Sequence, residues 1–463
     1  MLNVQKIVNS TRGELLNGNL EEVIMSYNID TREIEPNDFF IPLKANADGN
    51  QYILTAVKKG CIGFLVDKEY EYKKETIKEA IRLNEKVIIV EVKDTNIALQ
   101  QMAHANRLEN KDVPIIAVTG SVGKTGMREM ISSVLRTKYK VLTSIKNYNN
   151  KIGLPMMLLR LDGYEVAVLE MGMNHRGEIS NLSRMTLPNT SVITNIGTAH
   201  IGNLGSVEEI FNAKMEIIDG MNKQGILYIN GDNEHLKNVK LKNIEVRRFG
   251  RLYENIAGIM FKKDRIIYDY KQKGQIYEVV INEVGAYHIE NSLCAIKIGL
   301  DFGIDMDTII EGIRMYHNFD KRMQKYNLNH GIIIIDDSYN ASLESMKAGL
   351  DTINQIDYPY KTIVLGDMLE LGAYSKELHM QVGKHIVKQQ MQFDDILLYG
   401  EDSKYIDQVL KVNGYNNVYW FSSKRQLYEA LKNKVHSNEI IYFKASNGIN
   451  LGEIVDNLVS LLS

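Results

Sequence analysis

One stretch, residues 113–135, constrains the fold of this chain more than any other. Val113 to Val118 are apolar and β-rich and are followed by turn residues, which predicts a buried parallel strand. The loop that follows consists of Gly120, Ser121, Val122, Gly123, Lys124 and Thr125. Beyond it, apolar residues recur at the spacing of one helix face, at Met127, Met130, Ile131, Val134 and Leu135. The stretch therefore predicts a strand, a glycine loop and a helix in succession.

A glycine loop between a strand and a helix is a phosphate-binding arrangement. Its backbone N–H groups and the helix N-terminus face the anion, a lysine adds positive charge, and a hydroxyl can bind Mg²⁺. Lys124 and Thr125 supply those two groups here. The string is GxxGKT, and Val118 stands where the usual motif has its first glycine. We predict nucleotide binding at this loop; an ordinary strand–helix turn that holds glycine and lysine is the alternative.

Length and charge set the broad class of protein. At about 150 residues a domain, a chain of 463 residues predicts about three domains. The net charge of −3 gives no global basic field that would attract nucleic acid or an anionic membrane. The first residues lack the apolar core of a signal peptide, and no apolar run is long enough to span a bilayer. Cys61 and Cys294 lack metal-type spacing and are interpreted as reduced thiols, so we predict a cytoplasmic protein without nucleic-acid partner or membrane insertion.

Turn signals divide the chain into three α/β parts, residues 1–110, 111–318 and 319–463. In the first part, the charged segment 68–86 predicts a solvated helix. In the second part, strands and helices alternate, as in a mostly parallel sheet with helices on both faces. The candidate strands of the first part are Phe39–Leu43, Gly63–Val66 and Val87–Val90.

The third part repeats the alternation of strands and helices. Its candidate strands are Ile332–Ile335, Thr362–Leu365, Ile396–Tyr399, Val418–Phe421 and Ile440–Lys444. Acidic turns follow the first two of these strands, which predicts a second doubly wound domain whose loops face a ligand. Solvated loops rich in helix N-cap residues are the alternative.

Three polar residues of the second part are candidates for chemistry. Glu170 ends the strand Val166–Leu169 and His200 follows the strand Ser191–Ile196, so both lie at the sheet edge where ligands collect. A carboxylate beside a phosphate loop can contact Mg²⁺; a capping or loop glutamate is the alternative. For His200 the alternative is a structural, hydrogen-bonding histidine. Lys214 lies on a predicted helix and, from composition alone, is a solvated surface lysine.

Eight strings spread over the whole chain resemble one family. They are TGSVGKT (119–125), NYNNKIGLP (147–155), LEMGMNHRGEI (169–179), TNIGTAHIGNLGS (194–206), AKMEI (213–217), YHIENSLCA (287–295), DDSYNASLESM (336–346) and LGDMLELG (365–372). Together they resemble the Mur ligases, the ATP-dependent amide-forming enzymes of peptidoglycan precursor synthesis. LEMGMNHRGEI followed by DDSYNA and LGDMLELG is similar to the subtype that joins D-alanyl-D-alanine to UDP-N-acetylmuramoyl-tripeptide.

The resemblance implies an α/β fold with the three-domain Mur ligase architecture. The N-terminal α/β domain (1–110) is expected to bind the UDP substrate. The central domain (111–318) is expected to have a P-loop ATPase-like parallel sheet and to bind ATP. The C-terminal, Rossmann-like domain (319–463) is expected to bind the incoming D-alanyl-D-alanine. The family's architecture also implies a monomer.

The resemblance assigns roles to the matching residues. The expected ATP contacts are Gly120, Ser121, Val122, Gly123, Lys124, Thr125, His288, Asn291, Arg322 and Asp337. The expected Mg²⁺ ligands are Thr125, Glu170, His200 and Lys214, with Lys214 resembling the family's carbamylated lysine. The expected catalytic residues are Lys124, Lys214 and His200. The expected substrate contacts are Asp30, Thr31, Arg32, Lys44, Asn149, Asn150 and Asn340.

Three positions depart from the family's pattern. Gly126 stands where a serine or threonine is usual, which removes a hydroxyl near the phosphates and weakens helix initiation. Asn50 replaces the histidine of a DGH string, and Asn447 replaces the arginine of a Ser-Arg string. We therefore carry no substrate contact onto Asn50 or Asn447.

The resemblance implies that ATP converts a carboxylate into an acyl phosphate, which the amine of D-alanyl-D-alanine then attacks. One alternative is another amide ligase of this architecture, which adds a single amino acid or a polyglutamate tail. Another is a nucleotide-dependent switch without ligation chemistry. Diaminopimelate and lysine both stay open as the third residue of the accepted tripeptide.

Overall fold

The computed structural model describes residues 1–145, 147–262, 264–318 and 321–463. Within these ranges the chain forms α/β units that follow one another in sequence. None of their helices combines the length and the apolar character that crossing a membrane requires. Cys61 and Cys294 are buried free thiols, as expected.

The first unit lies wholly within described residues. Its elements are α1 (Val4–Thr11), β1 (Glu14–Asn17), β2 (Tyr27–Asn28), β3 (Phe39–Phe40), α2 (Ile53–Lys58), β4 (Gly63–Asp67), α3 (Lys73–Leu83), β5 (Ile88–Val92) and α4 (Thr95–Glu109). The strands form one sheet in the order β1-β5-β4-β3-β2, in which β1 is antiparallel and the others are parallel. The predicted strands are present, although the first is limited to Phe39–Phe40. Helix α3 is mostly solvated, as its charge pattern predicted.

The central unit contains the predicted phosphate loop. Its first elements are β6 (Ile115–Thr119), α5 (Lys124–Leu135), β7 (Val141–Thr143), α6 (Gly153–Leu158), β8 (Val166–Glu170), α7 (Glu178–Thr186), β9 (Thr190–Ile193), α8 (Ile201–Leu204), α9 (Val207–Met215), β10 (Ile226–Asn230) and β11 (Glu245–Phe249). The described strands form a parallel sheet in the order β11-β10-β9-β6-β8-β7. Every residue of β6 is buried, and α5 buries the five apolar residues of its predicted face. The strand, loop and helix predicted from residues 113–135 are confirmed.

The alternation expected across residues 111–318 is wrong for one segment. After β11 come β12 (Ile256–Phe261), β13 (Ile266–Gln272) and β14 (Gln275–Ile281), which form an antiparallel sheet. A tight turn with positive φ at Lys273 and Gly274 joins β13 to β14, which is the geometry that favours hairpins. Ile266, Tyr268 and Tyr270 alternate inward along β13, so the period is two residues. Helices α10 (Tyr287–Asp301) and α11 (Met306–Arg314) complete the unit.

The last unit is a second doubly wound sheet. Its elements are β15 (Gln324–Asn327), β16 (Ile333–Asp336), α12 (Leu343–Gln355), β17 (Tyr360–Gly366), α13 (Ser375–Lys388), β18 (Asp395–Tyr399), α14 (Lys404–Val412), β19 (Val418–Phe421), α15 (Lys424–Lys434), β20 (Glu439–Lys444) and α16 (Gly452–Leu462). Within residues 321–463 the strand order is β15-β16-β20-β17-β18-β19, with β15 antiparallel. All five predicted strands are present. The predicted start of this part, at Phe319 and Asp320, lies outside the described residues.

A buried arginine ties the first unit to the central one. The Arg107 guanidinium, on α4, donates to the carbonyls of Thr186 (2.9 Å), Asn110 (2.6 Å) and Val113 (2.9 Å). These carbonyls belong to the end of α7 and to the segment that enters β6. Because Arg107 is buried, water cannot reach its guanidinium N–H groups, and these carbonyls satisfy them instead.

Candidate active site

The phosphate loop between β6 and α5 is held from the end of β9. The Asn195 carbonyl accepts from Ser121 N–H (3.0 Å). The Asn195 side chain accepts from Val122 N–H (2.9 Å) and donates to the Val122 carbonyl (3.0 Å). Gly120 has a φ of +153°, and a Cβ at that position would collide with the Thr194 hydroxyl. The loop therefore needs glycine at position 120 and is fixed before any ligand binds.

Lys124 lies inside this loop. Its ammonium donates a hydrogen bond of 2.8 Å to the Gly120 carbonyl. Burial lowers the pKa of Lys124, and the carboxylate of Glu170 opposes that shift. The lysine begins α5, so its charge adds to the positive end of the helix dipole. An anion bound at this loop would be attracted by both the Lys124 charge and the helix dipole.

Glu170 collects side-chain donors beside the loop. Its carboxylate accepts from the Thr125 hydroxyl (3.0 Å) and from Asn149 Nδ2 (2.8 Å), and Arg128 Nη1 lies 3.4 Å away. Its backbone N–H donates to the Ser144 hydroxyl (3.0 Å). Hydroxyl and carboxylate oxygens are the ligands that Mg²⁺ prefers, so the Thr125–Glu170 pair fits this cation. The recorded partners of this carboxylate are side chains, which disfavours a helix-capping role.

His200 lies in the loop after β9, where its backbone is left-handed with a φ of +66°. Its Nδ1 lies 2.7 Å from Glu370 Oε2 of the last unit. This contact lowers the pKa of the Glu370 carboxyl, which therefore stays ionised. Glu370 also has a positive φ, of +63°, and its carbonyl accepts from Gly202 N–H (3.1 Å). His200 and Glu370, both with the uncommon positive φ, are therefore in contact between the central unit and the last unit.

Lys214, on α9, is buried with only 1% of its surface exposed. In the described part of the chain its ammonium has no hydrogen-bond acceptor or acidic partner. Burial, and then the charge of Lys124, lower the pKa of Lys214 well below 10.5. The interpretation from composition, a solvated surface lysine, is wrong. A neutral buried amine is the nucleophilic form of lysine, which fits an amine that can react with CO₂.

Among the described residues, no group of three or more His, Cys, Asp or Glu could hold a metal.

A cavity of about 400 Å³ lies between the phosphate loop, the start of α10 and the last unit. Besides the loop, four of the predicted contacts line it, namely Asn291, Arg322, Asp337 and Asn340. The Arg322 guanidinium lies 4.2 Å from the centre of the Tyr339 ring. Asp337 accepts from the Tyr442 hydroxyl (3.0 Å) and pairs with Lys444. The cavity therefore combines cationic, amide and carboxylate groups from two units.

His288 lies behind this cavity and not on its surface. It is fully buried, its ring nitrogens have no hydrogen-bond partner in the described chain, and burial lowers its pKa from 6.5 to about 3. Its ring centroid is 4.3 Å from that of Tyr287 and 5.3 Å from that of Tyr316. The two tyrosines line the cavity. The predicted ATP contact at His288 stays a prediction, and the aromatic surface presented to a ligand belongs to its neighbours.

Comparison with known proteins decides the family. Residues 118–299 match the Mur ligase middle domain, and residues 321–447 match the Mur ligase, glutamate ligase domain. The UDP-N-acetylmuramoyl-tripeptide–D-alanyl-D-alanine ligase of Bacillus subtilis (strain 168) is 35% identical to this chain over 464 residues, with 98% of each covered. The chain belongs to the Mur ligase family. A ligase of the same name from Rickettsia prowazekii (strain Madrid E) is 32% identical, over 92% of this chain and 93% of that protein.

A solved Mur ligase has the same fold. The crystal structure of MurF from Acinetobacter baumannii matches with a TM-score of 0.85 and 25% identity, over 99% of this chain and 98% of that one. The α/β architecture expected from the sequence is therefore confirmed over the length of the chain.

Of the substrate contacts expected of a Mur ligase, Asn340 lines the cavity, and the others fall into two groups. Asn149 bonds to Glu170 beside the phosphate loop, and the Asn150 side chain accepts from the N–H groups of Ile152 and Gly153 (both 3.0 Å) at the start of α6. The other contacts lie in the first unit, away from the walls of the cavity as described: Asp30, Thr31, Arg32 and Lys44. The two groups do not meet in this arrangement of the units.

In the first unit, the side chains of three of these predicted residues, Asp30, Arg32 and Lys44, are already paired. The Arg32 guanidinium binds the Asp30 carboxylate (2.6 Å) at the surface. The Lys44 ammonium lies 2.7 Å from the buried carboxylate of Asp67. Asn50, the departure from DGH, is buried and accepts from Asp67 N–H (3.0 Å), so it closes its own loop instead of facing solvent.

The other two departures have different surroundings. A Cβ at Gly126 would lie 3.2 Å from Asn291 Nδ2, a buried donor that has no partner among the described residues. Asn447 is exposed, whereas the neighbouring Ser446 is buried and its hydroxyl accepts from Leu369 N–H (2.9 Å).

Sequence reasoning missed several residues of this site. Asn195 shapes the phosphate loop, Tyr287 lines the cavity, and Glu344 reaches from the last unit to the loop that carries His200. Each lies within a string already recognised as family-like. A polar residue directly after a strand, as at Asn195, is the signal that could have found the first of them.

Proposed function

We propose that this chain is an ATP-dependent ligase that joins D-alanyl-D-alanine to UDP-N-acetylmuramoyl-tripeptide through an acyl phosphate. The observation that carries the proposal is the Thr125–Glu170 pair beside Lys124, since Thr125 and Lys124 line a cavity to which two units contribute. The two relatives described above bear the name of this activity, and they align with this chain over 98% and 93% of their lengths. The enzyme serves peptidoglycan precursor synthesis in the cytoplasm and acts as a monomer.

The first step is phosphoryl transfer. A carboxylate is a poor electrophile at neutral pH, so ATP must first convert it to an acyl phosphate. Such transfer asks the protein chiefly for positioning and charge neutralisation. The phosphate loop and Lys124 hold the triphosphate, and the carboxylate oxygen of the tripeptide attacks the γ-phosphorus as ADP leaves. Tyr287 and Asn291 line the same cavity as the loop and are the proposed contacts of the adenine.

Thr125 and Glu170 would hold one Mg²⁺, and His200 with a carbamate on Lys214 would hold a second. When bound, these ions supply neutralisation of negative charge on the phosphates and the reacting carboxylate. Lys214 supports this role because its amine is buried and its lowered pKa favours the neutral form that adds CO₂. Burial then protects the carbamate from water.

The second step is attack by the amine of D-alanyl-D-alanine on the acyl phosphate. The new carbon–nitrogen bond forms as inorganic phosphate leaves with the oxygen that came from the carboxylate. The last unit, residues 319–463, contributes Arg322, Asp337 and Asn340 to this side of the cavity. Closing that unit over the site excludes water, which would otherwise hydrolyse the acyl phosphate.

The remaining substrate spans the other two units. Asp30, Thr31, Arg32 and Lys44 of residues 1–110 take the uridine nucleotide. Asn149 and Asn150 of residues 111–318 take the muramoyl peptide near the phosphate loop. This division places UDP-N-acetylmuramoyl-tripeptide across the first two units and delivers the reacting groups to one cavity.

Phosphate release from ATP tests this proposal. Release that requires both UDP-N-acetylmuramoyl-tripeptide and D-alanyl-D-alanine supports it, and tripeptides with diaminopimelate or lysine define the accepted stem. Lys124→Met should abolish release without unfolding the protein, whereas Lys240→Met, at an exposed lysine, should not. Release with a single amino acid or a folyl substrate instead would indicate another ligase of this architecture. ATP binding without substrate-dependent release would indicate a switch.

A further inference from the structure

A side chain of the last unit accepts hydrogen bonds from the loop that carries His200. Glu344, in the first turn of α12, accepts two hydrogen bonds from Thr198: one from its backbone N–H (2.8 Å) and one from its hydroxyl (3.1 Å). Both carboxylate oxygens are therefore used, one for each donor. Among the described residues Glu344 has no cationic partner, so its charge is directed at this loop alone.

Thr198 lies between the phosphate loop and His200. On one side, Gly197 N–H donates to the Ser121 hydroxyl of the phosphate loop (2.9 Å). On the other side, His200 follows two residues later. A Cβ at Gly197 would lie 2.5 Å from Glu344 Cδ, so the two units approach closely at this point. Glu344 also lines the cavity.

These contacts link the position of the last unit to the shape of the site. A hydrogen bond to a carboxylate is stronger than one between neutral groups, and two bonds to one side chain also fix direction. Without the last unit in place, Thr198 loses both bonds. The segment 197–200 would then keep its bond to Ser121 but lose its support on the side of the cavity.

We propose that Glu344 is a positioning residue, which sets Thr198, and with it the segment between Ser121 and His200, for phosphoryl transfer once the last unit has docked. This inference rests on the proposed function, because its readout is turnover. Glu344 is not among the predicted nucleotide contacts, and its two hydrogen bonds go to Thr198. Glu344 therefore acts on the rate and not on nucleotide affinity.

Three variants at this contact test the inference. Glu344→Ala should lower kcat for phosphate release by at least about tenfold, since small misplacements in active sites are costly. It should leave the affinity for a non-hydrolysable ATP analogue within about threefold. Glu344→Gln should stay within about threefold of the wild-type kcat, because an amide accepts from the Thr198 N–H and donates to its hydroxyl. Thr198→Val should lower kcat, and adding Glu344→Ala should lower it no further than Glu344→Ala alone.

A matched control comes from the same interface. The Tyr374 hydroxyl donates to the Gly205 carbonyl (2.6 Å), which is another bond from the last unit, made to the residue that ends α8. Tyr374→Phe should keep kcat within about twofold of the wild type, because Gly205 is remote from the Ser121 contact.

Several outcomes overturn the inference. If Glu344→Gln is as slow as Glu344→Ala, the carboxylate acts through its charge or as a proton acceptor. If Tyr374→Phe is equally slow, the interface as a whole matters and not Glu344. If analogue affinity falls together with kcat in Glu344→Ala, the residue serves binding. A wild-type protein that releases no phosphate overturns the proposed function itself, which is a separate result.

Discussion

The Thr125 hydroxyl donates a hydrogen bond of 3.0 Å to Glu170 Oε2, which joins two segments 45 residues apart in the chain. Their strands, β6 and β8, are neighbours in the parallel sheet, so both segments emerge at the same edge. Parallel strands gather their C-terminal ends in this way, and ligands bind at that edge. The contact places two oxygen ligands of the kind Mg²⁺ prefers next to Lys124.

Removing the charge of Glu170 should weaken magnesium binding. Glu170→Gln keeps the size of the side chain and one acceptor but loses the negative charge, so the Mg²⁺ concentration for half-maximal phosphate release should rise about 10–100-fold. A magnesium titration of turnover measures this. Glu234→Gln, at an exposed glutamate, serves as the control and should not change the requirement. An unchanged magnesium requirement in Glu170→Gln contradicts the assignment of this carboxylate.

Lys214 should carry a carbamate in the active enzyme. In protein equilibrated with ¹³C-bicarbonate, we expect one carbamate signal by carbon NMR, and Lys214→Ala should lack it. The variant should also lose turnover and regain part of it when a short carboxylate is added, because the cavity left by the side chain can admit one. An unmodified amine at Lys214 in fully active wild-type protein counts against the carbamate.

The sequence predicted the strand, loop and helix of residues 113–135 because each signal there is local. Composition alone wrongly placed Lys214 at the surface, since a lysine on a short helix gives no local sign that it will be buried. The hairpins of residues 256–281 were missed because the expected βα alternation was extended over a segment with a two-residue period. Tyr287 and Glu344 are contacts between distant segments, which only the folded chain shows.

A serine at position 126 should stabilise the protein. A Cβ there lies 3.2 Å from Asn291 Nδ2, so the Asn291 side chain must move by a few tenths of an ångström; its N–H groups lack a partner among the described residues, and a serine hydroxyl can accept from them. Gly126→Ser should raise the free energy of unfolding by about 1 kcal/mol, from helix propensity and the added hydrogen bond. Gly126→Ala, which lacks the hydroxyl, should raise it by less. Urea unfolding without nucleotide measures both, and a destabilised serine variant contradicts the geometry.

Burial of His288 should make the protein sensitive to acid. Its pKa falls from 6.5 to about 3, so the folded state keeps the ring neutral while the unfolded chain takes up a proton below about pH 6.5. Stability is therefore lost as the pH falls through this window, by about 2–3 kcal/mol between pH 6.5 and 4.5. His288→Phe should lose that much less over the same range. Urea unfolding at several pH values compares the two proteins, and parallel curves would contradict the prediction.

The most direct test of the account follows the oxygen atoms of the reaction. If ATP activates the carboxylate of UDP-N-acetylmuramoyl-tripeptide, a tripeptide labelled with ¹⁸O in that carboxylate should pass one labelled oxygen to the released phosphate when D-alanyl-D-alanine is present. We predict labelled phosphate in step with the joined product, both measured by mass spectrometry. Unlabelled phosphate, or no joined product with magnesium and both partners supplied, would contradict the account.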